Sequence, residues 1–364
     1  MTTSNPVFSN PALARAEAFA NSHGLRVPIL LGPMAGASAA SLSIAVANAG
    51  GLGSCGALLM QPAAIKAWAA EVRGGSNGAF SLNLWIPDPP PRRDQAAEDA
   101  VRAFLGHWGP AVAPEAGDAI PPDFDAQCEA LLEIAPPIIS SVMGLYPKTF
   151  IDRMKAKGIK WFANISTVTE AKAAQDAGAD VVVAQGMEAG GHRYAFNAAT
   201  AEANMVGLIS LLPAVVDAVR IPVVATGGIA DARGVAAALV LGASAIQVGT
   251  GFLRCPEAKL PPAWADAIGR TLPEQTMVSR VFSGRPGRSI ATAYTRAAVS
   301  AGAPDPAAYP VQRGLTQAMR DAAVKAGDID SMQAWAGQSS ALALARPAAE
   351  VVDTLWEGAQ ALLG

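Results

Sequence analysis

The stretch VVATGGIADARGVAAALVLGASAIQVGTGF, Val223 to Phe252, decides the architecture. A β-branched run, Val223 to Thr226, ends in two glycines, and a small-residue helical pattern follows over Ala232 to Leu241. Gly242 stands where a helix C-cap wants a glycine, and a second short run, Ala245 to Val248, again empties into glycine. Strand, tight turn, helix and strand in this order form the unit of a parallel sheet covered by helices.

The same rhythm extends outward. Further candidate strands lie at Val27 to Leu31, Gly51 to Ser54, Phe80 to Leu84, Ile138 to Val142, Trp161 to Ile165 and Val181 to Ala184. Helical patterns separate them at Ser41 to Ala49, Pro62 to Val72, within Asp123 to Ile134, Pro147 to Lys157, Val168 to Ala177 and Gly207 to Ala218, with Gly50, Gly158 and Gly178 at helix ends. Eight strands are the number that closes a barrel. A doubly wound open sheet shares the alternation but would carry its glycine signature after the first strand, and here the strongest glycine signals are late. The fold predicted is therefore α/β: a TIM (β/α)8 barrel over residues 1–254, with a long loop insertion at about 87–122 that could cover the site. A mostly helical extension, 255–364, packs on it, with helices expected at Leu315 to Ala326 and Ala348 to Leu363 and no strand of comparable strength.

Composition excludes several classes. With 51% hydrophobic and 16% charged residues the chain has ample material for a core, which rules out disorder. The net charge of -3, without runs of like charge, excludes a nucleic-acid footprint. Apolar stretches fall short of the ~20 residues that cross a bilayer, and Met1 to Pro11 has no basic-then-apolar signal pattern, so no membrane partner is expected and a cytoplasmic location is the default expectation. Three cysteines, Cys55, Cys128 and Cys255, are far apart, so neither a disulfide framework nor a metal site is indicated.

The chemistry-bearing residues cluster at predicted strand ends. ATGGIAD (Ala225 to Asp231) and QVGTGF (Gln247 to Phe252) follow the last two strands, where barrels commonly bind phosphate on glycine amides and a helix N-terminus. Either glycine group alone reads equally well as a tight turn; the two on adjacent strands favour a phosphate. AQGMEAGGHR (Ala184 to Arg193) puts His192 on a flexible, glycine-flanked loop, where a neutral imidazole of ordinary pKa about 6.5 can accept a proton. His23 and His107 read as surface histidines, and Glu188 and Arg193 as a mutual pair, loop structure or solvated charges. In LGPMAGAS (Leu31 to Ser38), Pro33 and Met34 interrupt backbone hydrogen bonding at the cavity mouth, a setting for a flat ring or a simple turn with Met34 in the core. Asn83 in NLW offers an amide suited to a heteroaromatic edge or a loop cap.

Taken together, PMAG, NAGGLG, NLW, QGxEAGGHR, TGGIAD and QVGTxF, in this order over Val27 to Arg254, resemble the nitronate monooxygenase family, formerly called 2-nitropropane dioxygenases. FSGRPGR (Phe282 to Arg288), YPVQ (Tyr309 to Gln312) and AWAGQ (Ala334 to Gln338) are similar to its bacterial class I branch. The resemblance implies an FMN-dependent barrel enzyme in which Pro33, Met34 and Ala35 border the isoalloxazine, Asn83 and Gln185 contact the flavin, and Gly190 lies beside it. It further implies a phosphate resting on Gly228 and on the backbone of Gln247, Val248, Gly249 and Thr250, with His192 as base or substrate-orienting group and Tyr309 lining the substrate pocket. Tyr194 departs from the glycine the family often has after AGGHR, which bears on pocket width. The implied reaction is oxidation of alkyl nitronates with O2 to carbonyl compounds and nitrite. An NAD(P)H-dependent reductase of quinones or enoyl thioesters is the alternative within flavoenzymes; an FMN-binding protein without turnover or a phosphosugar-type barrel stands outside that class.

Overall fold

The computed structural model describes residues 10–364, so most of the Met1 to Pro11 segment lies outside the described residues. The parallel sheet is built from β1 (Ile29–Leu31), β2 (Gly53–Gly56), β3 (Phe80–Trp85), β4 (Ile138–Val142), β5 (Lys160–Ile165), β6 (Val181–Gln185), β8 (Val223–Thr226) and β9 (Ala245–Val248). Between β6 and β8 the chain adds a two-residue strand, β7 (Gly191–His192). The eight strands pair in the order β1-β9-β8-β6-β5-β4-β3-β2, and a parallel bridge between Leu30 and Leu52 joins the two ends. Leu31 N–H donates to the Leu52 carbonyl at 2.9 Å and Leu52 N–H to the Ile29 carbonyl at 3.1 Å, so the sheet is a barrel.

Strands buried on both faces read as near-continuous apolar runs instead of alternating ones, broken here by small or hydrogen-bonding residues such as Ser54, Asn83, Ser140 and Asn164. Two cores result. One sleeve packs between the strands and the surrounding helices. The other fills the barrel's N-terminal end with Leu30, Leu52, Ile138, Phe162, Val181 and Val224, and is sealed by Phe19 and Ala20 of a helix at Pro11–Ser22. That helix has a weak sequence signal because its buried face is largely alanine. The plug leaves only the C-terminal end open for a site.

The four glycines expected at helix ends adopt positive φ, between 70° and 108°. β2 begins two residues later than its sequence pattern suggests, because the chain is still turning at Gly50 and Gly51, whose amides close the preceding helix. In the 87–122 insertion, a helix at Gln95–Leu105 and a 3-10 turn at Pro114–Asp118 are tied together by Arg93, which reaches Glu98 and Asp118.

Residues after 255 carry two strands that composition did not reveal, β10 (Thr276–Ser279) and β11 (Gly287–Ile290). They form a three-stranded antiparallel sheet with β7, pairing His192 with Gly287 and Gly191 with Arg288. The final helix, Ala348–Leu363, packs against the helices at Ala232–Val240 and Ala40–Asn48, and a Cβ added at Gly358 would stand 2.6 Å from Ala232 Cβ. It lies between the helix that follows β8 and the helix that follows β1. Among the described residues no helix is long and apolar enough to cross a membrane.

Candidate active site

A cavity of about 320 Å³ opens at the C-terminal ends of the strands. From β1 it takes Pro33, Met34 and Ala35, from β3 and β6 Asn83 and Gln185, and from the β6 loop Gly190 and His192. Gly228, Gln247, Gly249 and Thr250 line it from the last two strands, and Tyr309 from the distant chain. Val248 does not line it: its side chain is in the sleeve core and its carbonyl accepts from Gly32 N–H at 2.8 Å, as strand alternation requires.

The turn after β1 is held by a residue that the sequence reading passed over. Ser38 Oγ donates to the Met34 carbonyl at 2.6 Å and accepts from the amides of Met34 and Gly56 at 3.3 and 3.1 Å. Met34 thus keeps its backbone hydrogen bonds, and its half-buried side chain serves both the cavity wall and the core. On β3, Asn83 is oriented by donating to Ser140 Oγ at 2.9 Å. Gln185 is occupied by its own loop: it donates to the His192 carbonyl at 3.0 Å and accepts from Tyr194 N–H at 2.8 Å.

Neither charged residue of the EAGGHR block, Glu188 to Arg193, is a solvated charge. Arg193 is buried and donates to the carbonyls of Gln185 and Ser166, and burial lowers its pKa to about 10. Glu188 accepts the Leu208 amide at 2.8 Å and so caps the helix Leu208–Ala218. Gly190 has no room for a side chain, since a Cβ would lie 2.5 Å from Gly337 N. The stretch around His192 is consequently no flexible loop but a strand pinned on β11.

Behind β8 and β9 lies a cradle of amides. Gly228 adopts φ 69°, and a 3-10 turn at Thr250–Phe252 follows Gly249. The N–H groups of Gly228, Thr250 and Gly251 donate to no described residue. At the N-terminus of the helix Ala232–Val240, Asp231 accepts from Gly234 N–H at 3.0 Å and so engages one of the amides that face that end. Both loops are tied to the late chain: Ser339 Oγ donates to the Gly228 carbonyl at 2.6 Å and Gly337 N–H to Thr250 Oγ1 at 3.1 Å. Between cradle and wall, Gln247 Nε2 is buried without a partner.

The opposite wall is aromatic. His192 stands edge-on to Trp85, with ring centroids 4.9 Å apart, and 5.0 Å from Trp335. Its Nε2 shares a 2.7 Å hydrogen bond with Ser283 Oγ, leaving Nδ1 without a described partner. Tyr309 stacks on Trp85 at 4.8 Å, and Arg285, held by Asp88 through two 2.7 Å contacts, lies over the same indole. Burial first, then the charges of Arg285 and Arg313, push the His192 pKa down to about 3, so the imidazole is neutral at ordinary pH. Tyr194 packs among Trp85, Val142, Met143 and Tyr309, and burial raises its phenol to about 12. Ser283, Arg285 and Trp335 fell within motifs that only marked the family resemblance, and Arg313 in none; no local pattern ties any of the four to His192.

A cavity at the C-terminal face of a barrel, lined by unengaged glycine-loop amides and by a neutral histidine, stands where barrel enzymes carry their active sites. The profile described as Nitronate monooxygenase matches residues 17–358. Over 340 residues the chain is 36% identical to a nitronate monooxygenase of Pseudomonas aeruginosa, covering 92% of this chain and 96% of that one. A nitronate monooxygenase of Paraburkholderia phytofirmans is 35% identical over 339 residues, 91% and 92% of the two chains. Among solved structures, nitroalkane oxidase from Streptomyces ansochromogenes superposes with a TM-score of 0.85 at 34% identity, covering 95% of this chain and all of that one. FabK from Thermotoga maritima gives 0.74 at 26% identity, with 95% and 96% covered. The chain belongs to the nitronate monooxygenase family and is an oxidoreductase.

Proposed function

We propose that the protein binds FMN and oxidises alkyl nitronates, with O2 as oxidant, to carbonyl compounds and nitrite. The observation carrying this reading is the pairing of unengaged amides at Gly228, Thr250 and Gly251 with a histidine wall across one cavity. The residues fit such a cofactor. The free amides suit a phosphate, and Gln247 Nε2 is a buried donor beside the Tyr194 phenol with no hydrogen bond of ordinary geometry. Pro33, Met34, Ala35, Asn83 and Gly190 would border the ring, and Gly228, Gly249 and Thr250 would hold the phosphate. FMN, when bound, supplies the capacity to take electrons from the substrate.

The chain's own residues supply orientation and field. A histidine with pKa about 3 is a weak base, so it suits a substrate that arrives already ionised. An anion in the cavity favours the tautomer with the proton on Nδ1, while Ser283 donates to Nε2. Nδ1–H then donates to a nitronate oxygen, and Tyr309 with Trp85 excludes water from one side.

The FabK likeness favours a second reading, an NAD(P)H-dependent reductase of enoyl thioesters or quinones. Anaerobic mixing separates the two. Bleaching of the flavin absorbance by a nitronate and not by NADH supports the oxidation of nitronates; bleaching by NADH alone overturns it. Release of FAD, or of no flavin, on denaturing the reconstituted protein overturns the FMN assignment.

A further inference from the structure

Among the arginines around the cavity, one is free. Arg285 is held by Asp88, Arg193 by two carbonyls, and Arg288 by the Met187 carbonyl and Thr276 Oγ1. Arg320 is spread over Thr316, Gln317, Gln333 and the carbonyl of Arg313. Arg313 lines the cavity from the short helix Val311–Leu315, four residues beyond Tyr309, yet its guanidinium makes no hydrogen bond or ion pair to any described residue. Asp321, whose charge it feels, accepts instead from the Gln317 amide at 2.7 Å.

We propose that Arg313 is a specificity-determining residue that selects ionised nitronates over the neutral nitroalkanes of the same carbon skeleton. The inference rests on the nitronate reading above and adds the residue that enforces it. A half-buried guanidinium with no protein partner gains from an anion that reaches it, and its planar fork matches two coplanar oxygens sharing a negative charge. Arg313 lines the same cavity as His192 and Tyr309, and its charge acts on both. The oxygens of a neutral nitro group are weaker acceptors and carry no net charge to reward the contact.

The test uses the full, flavin-loaded chain and its Arg313→Gln and Arg313→Lys variants. Michaelis constants are measured for propane 2-nitronate and 2-nitropropane, together with the inhibition constant of nitrate, a planar oxyanion. Arg313→Gln should raise the nitronate KM and the nitrate inhibition constant about 10- to 100-fold while leaving the 2-nitropropane KM and the flavin content unchanged. Arg313→Lys should recover part of the loss, since it keeps the charge but not the fork. Equal changes for both substrates, or none, overturn the inference while the functional reading stands. Absence of nitronate turnover in the unaltered chain overturns that reading and the selectivity with it.

Discussion

The amide cradle behind β8 and β9 and the aromatic wall around His192 line the same cavity and are built in opposite ways. The cradle comes from two short contiguous stretches whose conformation is local: glycine turns directly after buried strands. The wall is assembled from Trp85, His192, Ser283, Tyr309 and Trp335, which meet only because β11 pairs with β7 and the late chain folds back over the barrel mouth. Substitutions in the cradle should therefore act on cofactor retention and those in the wall on turnover. Ser339 and Gly337 are where the two regions touch.

The largest effect is expected in the cradle. Gly228→Val forces a β-branched residue to φ 69° and sets a Cβ 3.1 Å from Glu188 Cβ, so flavin affinity should fall about 100-fold or more while circular dichroism stays native. Stoichiometric flavin in the purified variant would show that the cradle is not the phosphate site.

On the wall side, His192→Ala should retain flavin and lower nitronate kcat/KM by about two orders of magnitude. Ser283→Ala, which frees the ring without removing it, should cost about 1 kcal/mol, near fivefold. Measuring both with the double variant sharpens the comparison: full additivity would mean that Ser283 does not act through His192.

Smaller still is Tyr309→Phe, which keeps the stack on Trp85 and removes one hydroxyl. A severalfold rise in the nitronate KM with an unchanged flavin spectrum is the expected outcome. Identical kinetics on several nitronates would take the hydroxyl out of the pocket.

The pH dependence should be the weakest signal. With a folded pKa of about 3 against about 6.5 unfolded, His192 binds fewer protons folded than unfolded between those values. Its contribution to stability is thus complete above about pH 6.5 and is lost as pH falls toward 3. Turnover should show no histidine inflection between about pH 6 and about pH 8; an inflection near 6.5 that disappears in His192→Asn would mean that the ring titrates as if in water.

Strand positions, the helices between them and the glycines at their ends were legible because each follows from near-neighbour chemistry: hydrophobic runs, C-caps and tight turns. Boundaries moved by a residue or more at several ends: β1 begins at Ile29 instead of Val27, β3 and β6 run one residue further, to Trp85 and Gln185, and the turn at Gly50 and Gly51 delays β2. Less legible was anything set by partners remote in sequence. Arg193 and Glu188 read as charges with no fixed place, yet one is buried on carbonyls and the other caps a helix. Asp231 likewise read as the end of a glycine turn, yet it caps the helix that follows by accepting from Gly234 N–H.

By itself, then, the amino-acid order determined a barrel of eight strands with its chemistry at their C-terminal ends, and it put His192 and the glycine loops on those ends. That much is encoded locally, since a strand buried on both faces and a glycine needing positive φ leave their marks within a few residues. Tertiary structure decided what the site can do. It turned the histidine loop into a strand, brought Ser283 to its ring, lowered its pKa through burial and two distant arginines, and left the Arg313 guanidinium facing the cavity without a partner. Burial and electrostatic fields are sums over residues far apart in the chain, so no window of sequence contains them.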